Sequence, residues 1–449
     1  MSADLAARAR DLMPGLVADL VRLAEIPSIA FPGYPREPLQ AAHDLVADLL
    51  RDAGVPTVET LHLPDTAPIV VGEIPPPPGA PTVLLYAHYD VQPPGDLALW
   101  DTPPFEPTLR DGALLGRGVA DDKANVLVHV GALRAFDGRP PVGVRIVVEG
   151  QEEWGSPFDT YPPQRPDLFA ADAIVVGDAG NLRPGEPTLT VALRGDAQVV
   201  VEVRTLAGAK HSGEFGGAAP DALLVLLRAL ATLHDERGDV AVPGLLREPW
   251  DGGGLTEDEL RALAEVAPGL PLLGSGGLGE RLWSGPAITV TGLDAPRVDE
   301  AVNAVVPHAR AKIDLRVHPR QPAAEAQQAL IDHLRSLTPF GVELTVHPAE
   351  AGDGFQAETG GPAYAAARDA LRAAWGAEPQ TAASGGSIPL LTALHQAVPG
   401  AEVLLFGAQD GECNLHAPNE RVLLDELERA VVAEATFLRA LATREERRP

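Results

Sequence analysis

Five short apolar runs, at residues 69–71, 83–86, 144–148, 173–176 and 403–406, constrain this chain most. Each is too short for a buried helix and reads as a strand of a parallel sheet buried on both faces. Between and before these runs the spacing predicts helices. One over 37–53 sets Leu39, Ala42, Val46 and Leu49 on one face before Gly54 closes it, and another over 125–136 buries Val126, Val130 and Leu133; a further helical pattern opens the chain. Strands alternating with helices imply a three-layer α/β sheet. From residue 193 the pattern changes to strand 197–203, helix 221–233, strands near 288 and over 311–317, helix 323–337 and strand 342–346. That β-α-β-β-α-β order is the split ferredoxin-like pattern, so an α+β domain over 193–352 is expected as an insertion between two parts of the α/β domain, 1–192 and 353–449.

Composition narrows the function classes. The formal net charge of −28 repels a phosphate backbone or an anionic membrane face, so nucleic-acid and membrane partners are not expected. The single cysteine, Cys413, permits no intramolecular disulfide or thiolate cluster. No run reaches the roughly 18 apolar residues of a membrane span, and charges interrupt the first 26 residues too often for a signal sequence. A soluble, cytoplasmic protein is the expectation.

Open α/β sheets bind ligands beyond the carboxyl ends of their strands. There the chain places His88 and Asp90, the pair Glu152–Glu153, Asp178 and, shortly after the last run, His416; Asp121 and Asp122 open the helix that contains Val126. Two imidazoles and several carboxylates converging on one rim suit zinc or manganese. The H-x-D spacing of His88 and Asp90 lets a carboxylate sit behind an imidazole and fix its tautomer. Vicinal side chains on an extended segment point apart, so one of Glu152 and Glu153 can bind metal while the other handles protons. Gly274–Gly279 matches GxGxxG, but no strand precedes it and it reads as a loop. Cys413 reads as a small packed residue, and His129 as a helical histidine without a ligand role.

Six ordered blocks, from His88-Tyr-Asp-Val-Gln-Pro-Pro through Gly116-Arg-Gly-Val-Ala-Asp-Asp-Lys123, Glu149-Gly-Gln-Glu-Glu153, His211-Ser-Gly-Glu-Phe-Gly-Gly217 and Gly385-Gly-Ser-Ile-Pro389 to His416-Ala-Pro-Asn-Glu420, resemble the M20 metallopeptidase family, particularly its dipeptidase and carnosinase-like branch. The resemblance implies a di-metal catalytic domain carrying an inserted lid and dimerisation domain. Two divalent ions, zinc first and manganese or cobalt as alternatives, would share Asp121; His88 and Asp178 would complete one site, Glu153 and His416 the other. Three carboxylates and a hydroxide would nearly neutralise the two dications, which makes the buried cluster tolerable. The family's cis peptide after the bridging aspartate falls on Asp121–Asp122. Glu152 resembles the general base. In the inserted domain, His211 would stabilise the oxyanion in a neighbouring subunit's site across a homodimer, and Asn303, Arg316, Gly386 and Ser387 would hold the small peptide substrate's carboxylate and backbone. Ala124 and Ser384 depart from the family's usual residues and bear on substrate preference. Aspartate rather than glutamate at 178 favours a dipeptidase. The alternatives are an N-acyl-amino-acid deacylase or desuccinylase of the same family and a noncatalytic metal- or peptide-binding protein.

Overall fold

A computed structural model describes residues 2–386 and 388–445. The chain divides into two units. The first comprises Met1–Val191, Ala357–Ala382 and Leu390–Pro449, the second Ala192–Gln356 and Ala383–Pro389. The Gly385–Gly386 segment thus belongs with the second unit, where the sequence pattern alone assigned it to the returning α/β part.

In the first unit the sheet runs, edge inward, Thr57–Leu61, Ile69–Ile74, Gly143–Glu149, Thr82–His88, Ala173–Val176, Glu402–Leu405 and Thr188–Leu193. Four of these strands, from Gly143–Glu149 to Glu402–Leu405, are mutually parallel, and almost every residue in them is buried. One expected parallel strand is not parallel: Ile69–Ile74 pairs antiparallel with both neighbours. An apolar run reports burial on both faces and carries no sign of direction. The Lys123–Ala135 helix packs on Thr82–His88 and between the Ser2–Ala24 and Leu424–Glu445 helices. Its side chains are therefore buried all round. Gly131 is the close-approach point, since a Cβ there would lie 2.8 Å from Leu16 Cδ1 and 2.9 Å from Val431 Cγ2.

In the second unit a four-stranded antiparallel sheet is ordered Ala287–Asp294, His308–Val317, Gly195–Arg204, Thr345–Gly352. With the Ala222–Leu230 and Ala323–Ser336 helices in sequence between them, this is the ferredoxin-like arrangement. Gly195–Arg204 alternates buried and half-buried residues. Its buried set, Ala197, Val199, Val201 and Val203, joins Val225, Leu226, Leu330 and Leu334 of the helices in one core. The last strand starts at Thr345 instead of Val342, because Phe340 at φ 56° turns the chain first. Of the Gly274–Gly279 segment expected as loop, residues 274–277 are loop, while 278 and 279 are already helical and lead into Glu280–Ser284.

Candidate metal centre

The parallel strands of the first unit deliver the candidate ligands from their carboxyl ends. His88 is the last residue of its strand, Asp178 lies two residues beyond Val176, and Glu152 and Glu153 occupy a turn three residues beyond Glu149. Asp121 and Asp122, joined by a cis peptide, precede the helix that starts at Lys123. Two triads form, His88 with Asp122 and Asp178, and Asp121 with Glu153 and His416, the candidate donor atoms of each within 4.8 Å of one another. Asp121 also joins the two: its Oδ1 lies 3.1 Å from His88 Nε2 and its Oδ2 2.9 Å from His416 Nε2. Glu153 Oε2 is 3.2 Å from the same His416 nitrogen.

Electrostatics test whether this cluster suits cations. Burial works against ionisation of Asp121, yet the two imidazoles hold it well below the usual carboxylate range. Hydrogen bonds to Asp121 and Glu153 lift His416 to about 10. Burial and the neighbouring Asp121 push Asp178 up to about 6, and burial drives Asp122 and Glu152 well above their ordinary values. The acids therefore crowd one another. The nearby cationic side chains do not relieve them, because Arg117 pairs with Glu420 at 2.8 Å and Lys123 Nζ donates to the Leu23 and Ile26 carbonyls at 3.0 and 2.8 Å. A mixed imidazole and carboxylate set short of positive charge fits divalent ions of the zinc or manganese kind.

The supporting residues are as informative as the ligands. Asp90 stands behind His88, with its carbonyl 3.2 Å and its carboxylate 3.4 Å from Nδ1. The same carboxylate accepts the backbone N–H groups of Glu152 at 3.0 Å and Glu153 at 3.1 Å, fixing the turn that separates their side chains. The divergence of the two glutamates thus comes from this turn and not from an extended segment. Glu420, wholly buried, accepts from Arg117 Nη1 and from the Gly118, Ala120 and Asp121 amides. Gln92 donates to Glu153, Gln409 to Asp178, and Asp122 accepts from the His88 amide and from Asn125. Sequence reasoning missed Glu420, Gln92, Gln409 and Asn125, and named Asp122 beside Asp121 without a role of its own. Gln92 and Glu420 stand inside the quoted blocks, where only their place beside candidate ligands could have flagged them. Cys413 is buried, accepts from the Asp410 amide, and belongs to neither triad. His129 is engaged by Glu434 and the Tyr86 carbonyl.

His211, Asn303, Arg316 and Gly386 all lie in the second unit; Ser387 lies outside the described residues. His211 pairs with Ala304 in a two-residue bridge, and the Ser212 amide donates to the Asn303 carbonyl at 2.9 Å, so these two candidates are brought side by side. Arg316 sits half-buried beside Asp314.

Residues 84–440 match the family model described as Peptidase family M20/M25/M40. The chain belongs to that family. It is a metallopeptidase. The M20 chain is 39% identical over 382 residues, 83% of its length and 84% of the relative's, to the cysteinylglycine-S-conjugate dipeptidase of Corynebacterium striatum. It is 28% identical over 398 residues to the β-Ala-His dipeptidase of Homo sapiens, covering 82% of this chain and 76% of that one. Among solved structures, that of human carnosine dipeptidase 1 superposes with a TM-score of 0.82 at 25% identity, over 98% of this M20 chain and 99% of the other.

Proposed function

We propose that the protein is a cytoplasmic, homodimeric dipeptidase that works with two divalent ions, zinc in preference to manganese or cobalt. The observation that carries this reading is the pair of histidine and carboxylate triads joined by Asp121, with Glu152 held beside them by Asp90. His88, Asp178 and Asp121 would hold one ion, and Glu153, His416 and Asp121 the other. When bound, the ions supply Lewis acidity at the scissile carbonyl and make water a nucleophile near neutral pH.

Glu152 is the proton carrier. Its burial among Asp178, Glu153 and Asp90 raises its affinity for a proton, so as a carboxylate it can take a proton from the attacking water and pass it to the departing amine. His211 of one subunit would face the developing oxyanion in its partner's site. Asn303, Arg316, Gly386 and Ser387 would hold the substrate's backbone and carboxylate, for which a guanidinium fork is suited. The relatives named for dipeptides support that substrate class. No helix among the described residues is long and apolar enough to cross a membrane.

Glu152→Gln tests the assignment. The variant should retain the metal content of the wild type, measured by elemental analysis, and lose roughly 10² to 10⁴ in kcat; full activity would reject Glu152 as the base. The assay panel should include N-acetyl and N-succinyl amino acids beside dipeptides, since turnover of these alone would make the protein a deacylase.

A further inference from the structure

Large apolar side chains stand exposed on the loops that carry the ligands of one half of the metal centre. Trp154 directly follows Glu153 and is 53% exposed; Leu415, also exposed, directly precedes His416. The two ligands meet at 3.2 Å, so the loops bearing these apolar neighbours converge there. A third loop joins them. Gln92 donates to the Glu153 carboxylate at 2.8 Å, and further along the same loop Asn419 donates to the Leu99 carbonyl at 3.2 Å and accepts from the Asp101 amide at 2.7 Å. Leu97 and Leu99 on this loop are both exposed.

Trp154 is held in place. Its turn is closed by the Gly155 amide donating to the Glu152 carbonyl at 3.0 Å, and the Asp90 carboxylate pins the turn from behind. Phe31 meets the indole, the ring centroids 4.8 Å apart and the planes tilted by 53°. The loop of Phe31 is fixed by the same segment that bears His88 and Asp90: Ser28 Oγ donates to the Tyr89 carbonyl at 2.7 Å, and the Val91 amide donates to the Ser28 carbonyl at 3.0 Å. Both rings are thus placed by residues 88–91. An exposed cluster of large apolar side chains marks a binding surface, and a ring already fixed loses little freedom when a ligand covers it.

The occupant follows from the chemistry of the centre. A dipeptide whose scissile carbonyl lies at the ions has one residue on each side of them, and its carboxyl end is read as held by Asn303 and Arg316. The side chain of the N-terminal residue is left for the rim of the first unit. We propose that Trp154, backed by Phe31 and flanked by Leu97, Leu99 and Leu415, forms an apolar shelf that takes this side chain and makes the enzyme favour large apolar N-terminal residues. The proposal rests on the dipeptidase reading and deepens it.

The test reads selectivity on the metal-loaded holoenzyme as the ratio of kcat/KM for L-phenylalanylglycine to that for L-alanylglycine. Wild type should favour the former. Trp154→Ala should lower the ratio about 10-fold, the scale of covering one side chain on an open face, and Trp154→Phe should restore most of it. Leu99→Ser, on a different loop, should lower it in the same sense and decides the matter if Trp154→Ala does not fold. The ratio for glycyl-L-phenylalanine to glycyl-L-alanine, which varies the other residue, should not move. A Trp154 that only braces the Glu152 turn would slow all substrates equally, and that result, or a shift confined to the glycyl pair, overturns the proposal. Failure of the wild type to hydrolyse any of these peptides would instead remove the dipeptidase reading. In that case calorimetry showing tighter binding of L-phenylalaninamide than of glycinamide, a difference abolished in Trp154→Ala, would uphold the shelf, and equal binding of the two would sink it.

Discussion

Glu149 is a buried acid that takes no part in either triad. Its carboxylate accepts from Tyr86 Oη and Ser156 Oγ, both at 2.9 Å, and burial followed by the charges of Asp159 and Asp90 raises it from 4.5 to about 8. A carboxyl group raised on folding contributes most below its unfolded value and loses that contribution as pH climbs through the folded one. Wild-type stability should therefore fall between about pH 4.5 and pH 8, while Glu149→Gln, unable to ionise and still able to meet Tyr86 and Ser156, should not share the fall. The gap between the two in urea denaturation should widen by a few kcal/mol across that window, at ~1.4 kcal/mol for each pH unit crossed; a constant gap would show that Glu149 does not titrate there. His88, Glu153, Asp178 and His416 were legible in the sequence because they come after strands whose burial is written in their composition, and Asp121 because it opens the helix that follows a glycine-rich turn. Glu420 and Gln409 were not, since their partners are set by tertiary contacts: Glu420 acts on amides some three hundred positions away. Local spacing holds no trace of such a contact.

At the scale of elements, the Lys123–Ala135 helix shows packing overriding propensity. Alanine is ordinarily worth about 1 kcal/mol more than glycine inside a helix. At Gly131 the added methyl would run into Leu16 and Val431 of the two flanking helices, and overpacking of this kind costs about 1–3 kcal/mol. Gly131→Ala should accordingly lower the midpoint of chemical denaturation, and a rise would mean that the three helices yield easily. The same scale marks the limit of periodicity. It located the central strands and the alternating Gly195–Arg204 strand, whose polar face is half-open. It could not give the direction of Ile69–Ile74, which is decided by which neighbours the strand meets, nor the late start of Thr345–Gly352, which a single left-handed residue at Phe340 imposes.

For the whole molecule, the proposed homodimer has a natural seam in the second unit. Ala287–Asp294 is an edge strand, and Val290 and Leu293 on it are exposed. An uncovered apolar edge invites pairing with another chain. Val290→Lys should convert a dimer to a monomer in sedimentation and, if His211 serves the partner's site, cut activity with it; an unchanged mass would place the interface elsewhere. A different consequence follows from where the first unit obtains its parts. Glu402–Leu405 lies between Ala173–Val176 and Thr188–Leu193 in the sheet, and Glu420 secures the loop in front of Asp121. Both are translated late. A ribosome must deliver them, and with them nearly everything that precedes, before the site can assemble, so prematurely terminated products would be inert and would not cleave peptides in the cell.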